Sequence, residues 1–406
     1  MPDPTSESSV DFDLHGLVRV RLLDPQPGDE QTIARQLGPL QSTTGGTPDI
    51  TVRFVDELSI DEPIVYVGWD ETGFAGDEFY LLRGRAGARA RTLIPFDRVG
   101  QKVDIVTERG VGVVPHLLAL VNLTALSKGV LPLHATAFSY GVHGVLVTGW
   151  AKGGKTETLL AFSQLGARYI GDEWIYITPE GNMFGVPEPI RLWRWHIEQL
   201  PQVKQGLSRL QRIRLGGLAR ASEAAEAVAG ALPDRNGLAS VLRRGAPIVR
   251  RQAYAHVTPA ELFGGVDPSR PFDLVVLATS HDADTVELDA VKGEVVAARM
   301  RASLLDEREA LLAHYRQFLY AFPDRRSTLI DTAGQIEGEL LDSALTGRAA
   351  YHLRHPYPFE LNSLVAPLEA ALSSLPATPG PIEDSLPTST EFPTSTEFPT
   401  STEGAS

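Results

Sequence analysis

The feature that most constrains this chain is the segment Gly-Trp-Ala-Lys-Gly-Gly-Lys-Thr at residues 149–156. It matches the pattern G-x-x-x-x-G-K-[ST], in which glycines let backbone N–H groups surround phosphate oxygens, the lysine adds charge and the last hydroxyl binds Mg²⁺. The pattern has this meaning only between a buried strand and a helix, and residues 144–148 and 157–165 have those characters. The chain is therefore predicted to contain a strand, a phosphate loop and a helix in succession, within an α/β fold that binds a nucleotide.

The predicted nucleotide ligands lie in this loop and in the first turn of the helix that follows. They are Gly149, Lys152, Gly153, Gly154, Lys155, Thr156 and Glu157. For Lys152 the alternative is an ordinary solvated lysine of the loop. The pattern indicates nucleotide binding but does not indicate what happens to the phosphate, so the reaction has to be inferred from other residues.

The composition excludes several classes of function. The chain has 406 residues, of which 43% are hydrophobic, enough for two domains. It has no cysteine, which excludes disulfides, thiolate zinc sites and cysteine nucleophiles. A net charge of −14 argues against nonspecific binding to nucleic acid or to anionic membranes. Because the chain also lacks a basic and apolar N-terminal signal and any apolar run of about 20 residues, we expect a cytoplasmic protein.

The hydrophobic pattern divides the chain into three parts. Residues 1–110 alternate apolar with polar side chains in several short runs, as half-buried strands do, and are predicted to form a small β-rich N-terminal domain. Residues 111–372 contain the loop, two paired strands before it and several helices, and are predicted to form the nucleotide-binding domain. Residues 373–406 end in repeats of Pro-Thr-Ser-Thr-Glu-Phe. This tail cannot bury enough apolar surface to offset the entropy of ordering and is predicted to be disordered.

Two acidic residues and a histidine are candidates for chemistry. Asp172 lies 17 positions after Lys155 and is followed by Glu173, where a predicted strand breaks. A phosphoryl-transfer site needs an acid that holds Mg²⁺ and a base that takes the proton of the attacking hydroxyl, and this pair can supply both. The alternative is a pair of surface acids in a turn. His134 lies in an apolar strand predicted to pair with the strand before the loop, so it could orient the acid or the acceptor hydroxyl; a hydrogen-bonded core histidine is the equal alternative.

Two further patterns are less specific. Residues 204–251 hold ten basic and three acidic side chains, and their guanidinium groups could clamp an acidic acceptor or the transferred phosphoryl group. The alternative is a solvated helical face. The arginines expected to lie in loops are Arg243, Arg244, Arg250 and Arg251. Residues 331–335 match the D-x-x-G switch of small GTPases, but the chain has no N-K-x-D sequence to recognise guanine, so a GTPase is not expected.

Residues 134–177 resemble the HPr kinase/phosphorylase-like serine kinases, whose phosphate-loop core is related to phosphoenolpyruvate carboxykinase. The likeness combines a Leu-His pair, two strands joined by a glycine turn, the loop continuing as Gly-Lys-Thr-Glu-Thr, and an acid pair. The spacing is 15 positions from His134 to Gly149 and 17 from Lys155 to Asp172. The family has Asp-Asp where this chain has Asp-Glu. The resemblance implies an α/β P-loop kinase core of this type, with a smaller β-rich N-terminal domain before it.

The resemblance also implies roles for the site residues. Asp172 would be the general base toward a serine hydroxyl, with His134 beside it. Lys155 would neutralise the β- and γ-phosphates and Thr156 would hold Mg²⁺. Glu173 would take the metal role of the family's second acid.

The expected function is ATP- and Mg²⁺-dependent transfer of the γ-phosphoryl group to a serine-type hydroxyl of a protein, a peptide or a small molecule. A homo-oligomer is compatible with this function, whereas nucleic acid and membranes are not expected partners. Two alternatives are a nucleotide-binding or nucleotide-hydrolysing regulatory module without an acceptor, and a carboxykinase-like enzyme acting on a small acid.

Overall fold

The protein combines sheets and helices throughout the part of the chain that the computed structural model describes, which is residues 8–43, 45–68, 71–82, 90–209, 217, 254–357 and 360–376. These residues form two nine-stranded sheets, one two-stranded sheet and nine α-helices. The predicted α/β class is confirmed. Most of the basic segment, including Arg243, Arg244, Arg250 and Arg251, lies outside the described residues, as does most of the predicted tail.

The first nine strands form one sheet. They are β1 (Ser9–Leu14), β2 (Val18–Leu23), β3 (Gln41–Ser42), β4 (Ile50–Val55), β5 (Val65–Val67), β6 (Thr72–Ala75), β7 (Glu78–Leu81), β8 (Thr92–Leu93) and β9 (Val103–Glu108). Their order in the sheet is β3-β1-β2-β4-β9-β8-β7-β6-β5. In β2 the side chains of Val18, Val20 and Leu22 are buried and those between them are half-buried, which is the period of two of a strand with one face on a core.

A helix, α1 (Pro27–Leu37), lies between the parallel strands β2 and β4. Its only buried apolar residues are Ile33 and Leu37, so its sequence has too few apolar positions to predict a helix here. The local signals are at its start, where the helix begins with a proline and the Asp29 carboxylate accepts the backbone N–H of Gln26 at 3.0 Å.

The second large sheet carries the phosphate loop. Its strands are β10 (Leu131–Tyr140), β11 (His143–Thr148), β12 (Arg168–Gly171), β13 (Trp174–Ile177), β14 (Asn182–Gly185), β17 (Ser269–Pro271), β18 (Leu274–Ser280), β19 (Glu287–Val291) and β20 (Ala349–His355), while β15 (Ile190–Trp193) and β16 (Tyr254–Val257) pair separately. The sheet order is β17-β14-β13-β10-β11-β18-β20-β19, and β12 also pairs with β10. Strands β11, β18 and β20 run parallel, so their carboxyl ends share one edge.

Eight further helices complete the described fold. They are α2 (Leu117–Ser127), α3 (Lys155–Ser163), α4 (Arg194–Gln199), α5 (Pro201–Gly206), α6 (Pro259–Leu262), α7 (Gly293–Ala321), α8 (Thr328–Leu345) and α9 (Val365–Ser373). Helices cover both faces of the second sheet. In β11, Val145 and Val147 belong to the core that includes α3 and α9, whereas Leu146 belongs to the core that includes α7 and α8. Burial on both faces explains the uninterrupted apolar run before the loop.

The N-terminal sheet shares its hydrophobic core with helices from later in the chain. This core includes side chains from α2, α7 and α8. The ring centroids of Phe79 and Phe96 each lie 5.6 Å from that of Phe318 in α7. A buried ion pair between Arg308 and Glu337 joins α7 to α8. The same two long helices therefore pack against both large sheets.

Two observations bear on the function classes considered above. Residues 331–335, which match the D-x-x-G pattern, lie inside α8 and so do not form the switch loop that a GTPase requires. Within the described ranges, no helix is both long and apolar enough to cross a membrane.

Candidate functional site

The predicted phosphate loop lies at one edge of the second sheet. Residues 149–156 follow β11 and lead into α3, beside the carboxyl ends of β18 and β20. Open α/β sheets bind ligands at this edge. Ala135 of β10 pairs with Thr148 of β11, and the hydroxyl of Thr148 donates to the carbonyl of His134 at 3.2 Å. The predicted pairing of these two strands is therefore observed, and it brings His134 to the edge that carries the loop.

The glycines of the loop allow it to pack directly against neighbouring strands. A Cβ atom on Gly149 would lie 2.3 Å from the carbonyl oxygen of Ala278 in β18. A Cβ atom on Gly154 would lie 2.1 Å from Nε2 of His355, and Gly154 also has a φ of 101°, which favours glycine. The course of the loop therefore depends on the absence of side chains at these positions.

His355, at the end of β20, contacts the backbone of the loop. Its side chain is buried, with Nε2 2.9 Å from the carbonyl oxygen of Gly153 and Nδ1 2.8 Å from that of Pro356. This contact joins positions 202 residues apart. His355 is not among the site residues predicted from the sequence. Its strand holds a tyrosine, two histidines and an arginine among seven residues, so no local pattern distinguishes His355.

Lys155 is held inside the loop by backbone carbonyls. Its ammonium group donates hydrogen bonds of 3.1 Å to the carbonyl oxygens of Gly149 and Trp150. Burial lowers the pKa of Lys155 from its usual value. The ammonium group of this buried lysine therefore lies against the backbone at the start of the loop.

The hydroxyl of Thr156 contacts the first of the two predicted acids. Thr156 Oγ1 donates a hydrogen bond of 2.9 Å to Oδ2 of Asp172. Asp172 is only 6% exposed. Its burial, followed by the negative charge of Glu173, raises the pKa of Asp172 to about 6. A carboxylate with this pKa remains ionised at neutral pH and is a better proton acceptor than an ordinary aspartate.

Glu173 lies in a strained turn between β12 and β13. Its φ of 67° is in the left-handed region, where residues other than glycine are uncommon. The side chain is 64% exposed, and its Oε2 lies 3.3 Å from Nε2 of His134. The hydrogen bond with His134 lowers the pKa of Glu173. Strained backbone of this kind is concentrated at functional sites, and here it turns the two neighbouring acids toward different partners.

His134 lies between two carboxylates and against an aromatic ring. Its Nε2 contacts Glu173, its Nδ1 forms a hydrogen bond with Glu307 of α7, and its ring stacks on Trp174 with centroids 5.7 Å apart. Burial by itself lowers the pKa of His134, but the hydrogen bonds to Glu173 and Glu307 outweigh it and the pKa is raised. Glu307 is 173 positions from His134 and is not recognisable as a site residue from the sequence.

The two other predicted ligands have different surroundings. Lys152 is exposed and has a φ of 64°. Glu157 accepts a hydrogen bond of 3.3 Å from Nε2 of the buried His196 in α4, because Nδ1 of the same ring accepts the backbone N–H of Trp193. Burial favours a higher pKa for Glu157, but this hydrogen bond outweighs it and the pKa is lowered. Glu157 therefore ties α3 to α4.

The site thus consists of two connected groups. Thr156 and Asp172 form one group beside Lys155, and Glu173 and His134 form the other. Hydroxyl and carboxylate oxygens are the ligands that Mg²⁺ uses in nucleotide sites, where one or two protein groups suffice because phosphates and water complete the shell. Among the described residues no group of three or more histidine, aspartate or glutamate side chains could hold a metal ion by itself.

Comparison of the sequence with models of known protein families finds no match, and comparison with characterised proteins finds none either.

Proposed function

We propose that this protein is an ATP- and Mg²⁺-dependent kinase that transfers the γ-phosphoryl group to a serine-type hydroxyl, with a core of the HPr kinase and phosphoenolpyruvate carboxykinase type. The observation that carries the proposal is the contact of Thr156, the last residue of the phosphate loop, with the buried carboxylate of Asp172. This contact joins the predicted phosphate loop to Asp172, a carboxyl group whose pKa is about 6. Phosphoryl transfer needs a phosphate-binding element and, near it, acidic residues that hold Mg²⁺ and accept the proton.

The loop supplies the phosphate contacts. Its backbone N–H groups and the N-terminus of α3 attract anions, and the buried ammonium of Lys155 adds a full positive charge. Bound phosphates would offer Lys155 charged oxygens in place of two neutral carbonyls. Charge-assisted hydrogen bonds of this kind are roughly twice as strong as neutral ones.

The two acids take separate roles in this proposal. The hydroxyl oxygen of the acceptor forms a bond to the γ-phosphorus while the bond to the ADP oxygen breaks, and Asp172 takes the hydroxyl proton. Thr156 and Glu173, which the His134 hydrogen bond keeps ionised, would hold Mg²⁺. When bound, Mg²⁺ neutralises charge on the phosphate oxygens. His134 and Glu307 fix the position of Glu173.

Two aromatic side chains are suited to the nucleobase. Trp195 and Tyr357 meet edge to face with ring centroids 6.3 Å apart, and Tyr357 is 62% exposed. Both lie beside residues that contact the loop or its helix: Trp195 precedes His196, which binds Glu157, and Tyr357 follows His355 by two positions. Aromatic rings stack on bases with little dependence on base identity, so this pair supports nucleotide binding without distinguishing ATP from GTP.

The proposal is tested by following the label of γ-³²P-ATP in the presence of Mg²⁺ and hydroxyl-bearing peptides and small molecules. We expect an acid-stable phosphate ester on an acceptor. Release of free phosphate alone would instead indicate a hydrolysing regulatory module, and nucleotide-dependent decarboxylation of a small acid would indicate a carboxykinase. Lys155→Ala should abolish transfer, whereas Lys152→Ala, a lysine change in the exposed part of the same loop, should retain it.

A further inference from the structure

A cavity of about 400 Å³ adjoins the acid pair of the proposed site. Its walls come from the N-terminal sheet, α1, α2 and the start of β13. Phe12, Val20 and Leu118 are among its apolar lining residues. The volume lies in the range of ordinary small-molecule sites. The cavity is open to solvent on one side, so a small molecule can enter it.

The cavity reaches the proposed transfer site through two consecutive residues. Glu173 and Trp174 both line it, and these are the residues that contact and stack on His134. Glu188 also lines the cavity, and it lies close enough to Glu173 and Asp172 to interact electrostatically with both of them. One end of the cavity therefore carries carboxyl groups that belong to or adjoin the acid pair. The remaining wall is mainly hydrocarbon, and its other polar residues are Arg35, Gln36 and His116.

We propose that this cavity holds the apolar part of the phosphoryl acceptor, and that the acceptor is a small uncharged alcohol with a bulky apolar group. This inference rests on the proposed kinase function. The hydrocarbon wall binds the apolar group, and the hydroxyl is then directed toward the acid pair. The ionised carboxylate of Glu173 at that end disfavours an anionic acceptor.

The position of the cavity favours a small molecule over a macromolecule. It lies between several elements of this one chain, and none of the large apolar side chains found exposed in the described ranges lines it. The apolar surface is therefore not continued by an exposed patch of the kind that marks a protein interface. A free alcohol can enter such a space without burying additional protein surface.

The test uses variants that fill the cavity without touching the acids. Ala119 of α2 and Val113 both line it, so Ala119→Leu and Val113→Phe each reduce its volume. The matched control is Ala313→Leu, at a half-buried position of α7 that is outside the lining. Each variant is first compared with the wild type by Mg-ATP titration calorimetry, which verifies that the nucleotide site has folded. Transfer from γ-³²P-ATP is then measured with uncharged alcohols carrying alkyl, cyclohexyl or phenyl groups, with glycerol, and with the dipeptide amide N-acetylserylglycinamide, which has no bulky apolar group.

We expect wild type and Ala313→Leu to phosphorylate one or more of the apolar alcohols at least tenfold faster than glycerol. Ala119→Leu and Val113→Phe should phosphorylate the same apolar alcohols at least tenfold more slowly than the wild type, while binding Mg-ATP with the same affinity. Unchanged transfer in both filling variants overturns the cavity assignment but not the kinase. Phosphorylation of the dipeptide amide alone overturns the small-molecule acceptor. Mg-ATP binding with no transfer to any hydroxyl overturns the kinase function and this inference with it.

Discussion

The hydroxyl of Thr156 donates a 2.9 Å hydrogen bond to the carboxylate of Asp172, which joins the end of the phosphate loop to the turn between β12 and β13. Thr156 is in the first turn of α3, and Asp172 is buried. Because this hydrogen bond favours the ionised carboxylate, it opposes the rise in the pKa of Asp172 caused by burial. The contact thus couples the proposed metal-binding hydroxyl to the proposed base.

Replacements of Thr156 should distinguish the effect of its hydroxyl group on Mg-ATP affinity from the effect of side-chain size. Thr156→Val removes the oxygen that would bind Mg²⁺, so we expect the affinity for Mg-ATP to fall by about tenfold or more. Thr156→Ser keeps the oxygen and should stay within about threefold of the wild type. Titration calorimetry with Mg-ATP and with metal-free ATP measures both effects. Equal Mg-ATP affinities for Thr156→Val and Thr156→Ser would exclude the hydroxyl as a metal ligand.

Replacement of Gly154 should test the close packing of the loop on His355. Gly154→Ala places a methyl group 2.1 Å from Nε2 of His355, so the loop or the ring must move. Gly166→Ala is a matched control, since Gly166 also has a positive φ, of 78°, but no atom within 4 Å of the added Cβ. Both changes should cost roughly 1 kcal/mol of backbone strain.

Only Gly154→Ala should also weaken Mg-ATP binding, by about tenfold or more, because displaced N–H groups no longer point at the phosphates. Chemical denaturation and Mg-ATP titration report the two quantities separately. Tight Mg-ATP binding by Gly154→Ala would show that the packing of the loop against β20 is not needed for the phosphate site.

Replacement of Glu188 should change how stability depends on pH. Burial, with the charges of Glu173 and Asp172, raises the pKa of Glu188 from 4.5 to about 8. Between these two values the unfolded chain ionises while the folded protein stays protonated, so the folded wild type loses stability as pH rises through this window. Glu188→Gln cannot ionise in either state. The free energy of unfolding of Glu188→Gln should equal that of the wild type at about pH 4 and exceed it by about 1–3 kcal/mol at about pH 8.5.

Urea denaturation of the wild type and Glu188→Gln across this pH range measures the difference. A stability difference that stays constant with pH would mean that Glu188 titrates normally in the folded protein.

The sequence was sufficient to predict those parts of the fold and site that depend on local pattern. The loop pattern and its flanking apolar run predict β11 and α3. The pairing of β10 with β11 follows from two short apolar runs joined by a glycine turn. These features were accessible because each is fixed by residues close together in the chain.

The remaining site residues could not be predicted because long-range packing determines them. His355, Glu307 and His196 reach the site from three different elements, and their contacts join residues 202, 173 and 39 positions apart. Their local sequences look like ordinary strand and helix. Helix α1 was missed for another reason: most of its residues are polar and its only strong signal is its N-terminal cap.

The resemblance implies that His134 lies beside Asp172, whereas the structure shows its ring in contact with Glu173 and Glu307. Asp172 and Glu173 are adjacent, but the left-handed φ of Glu173 directs one toward Thr156 and the other toward His134. The division of roles between metal ligand and base depends on this turn. It is therefore best examined by changing each acid separately.

The most direct measurement compares Asp172→Asn with Glu173→Gln in γ-³²P-ATP transfer and in Mg-ATP binding. We expect Asp172→Asn to bind Mg-ATP within about threefold of the wild type and to transfer the phosphoryl group about 10²–10⁴-fold more slowly, since it loses the base. Glu173→Gln should instead require a higher Mg²⁺ concentration for the same transfer rate. Full transfer activity in Asp172→Asn would contradict the central claim that this carboxylate takes the proton of the acceptor hydroxyl.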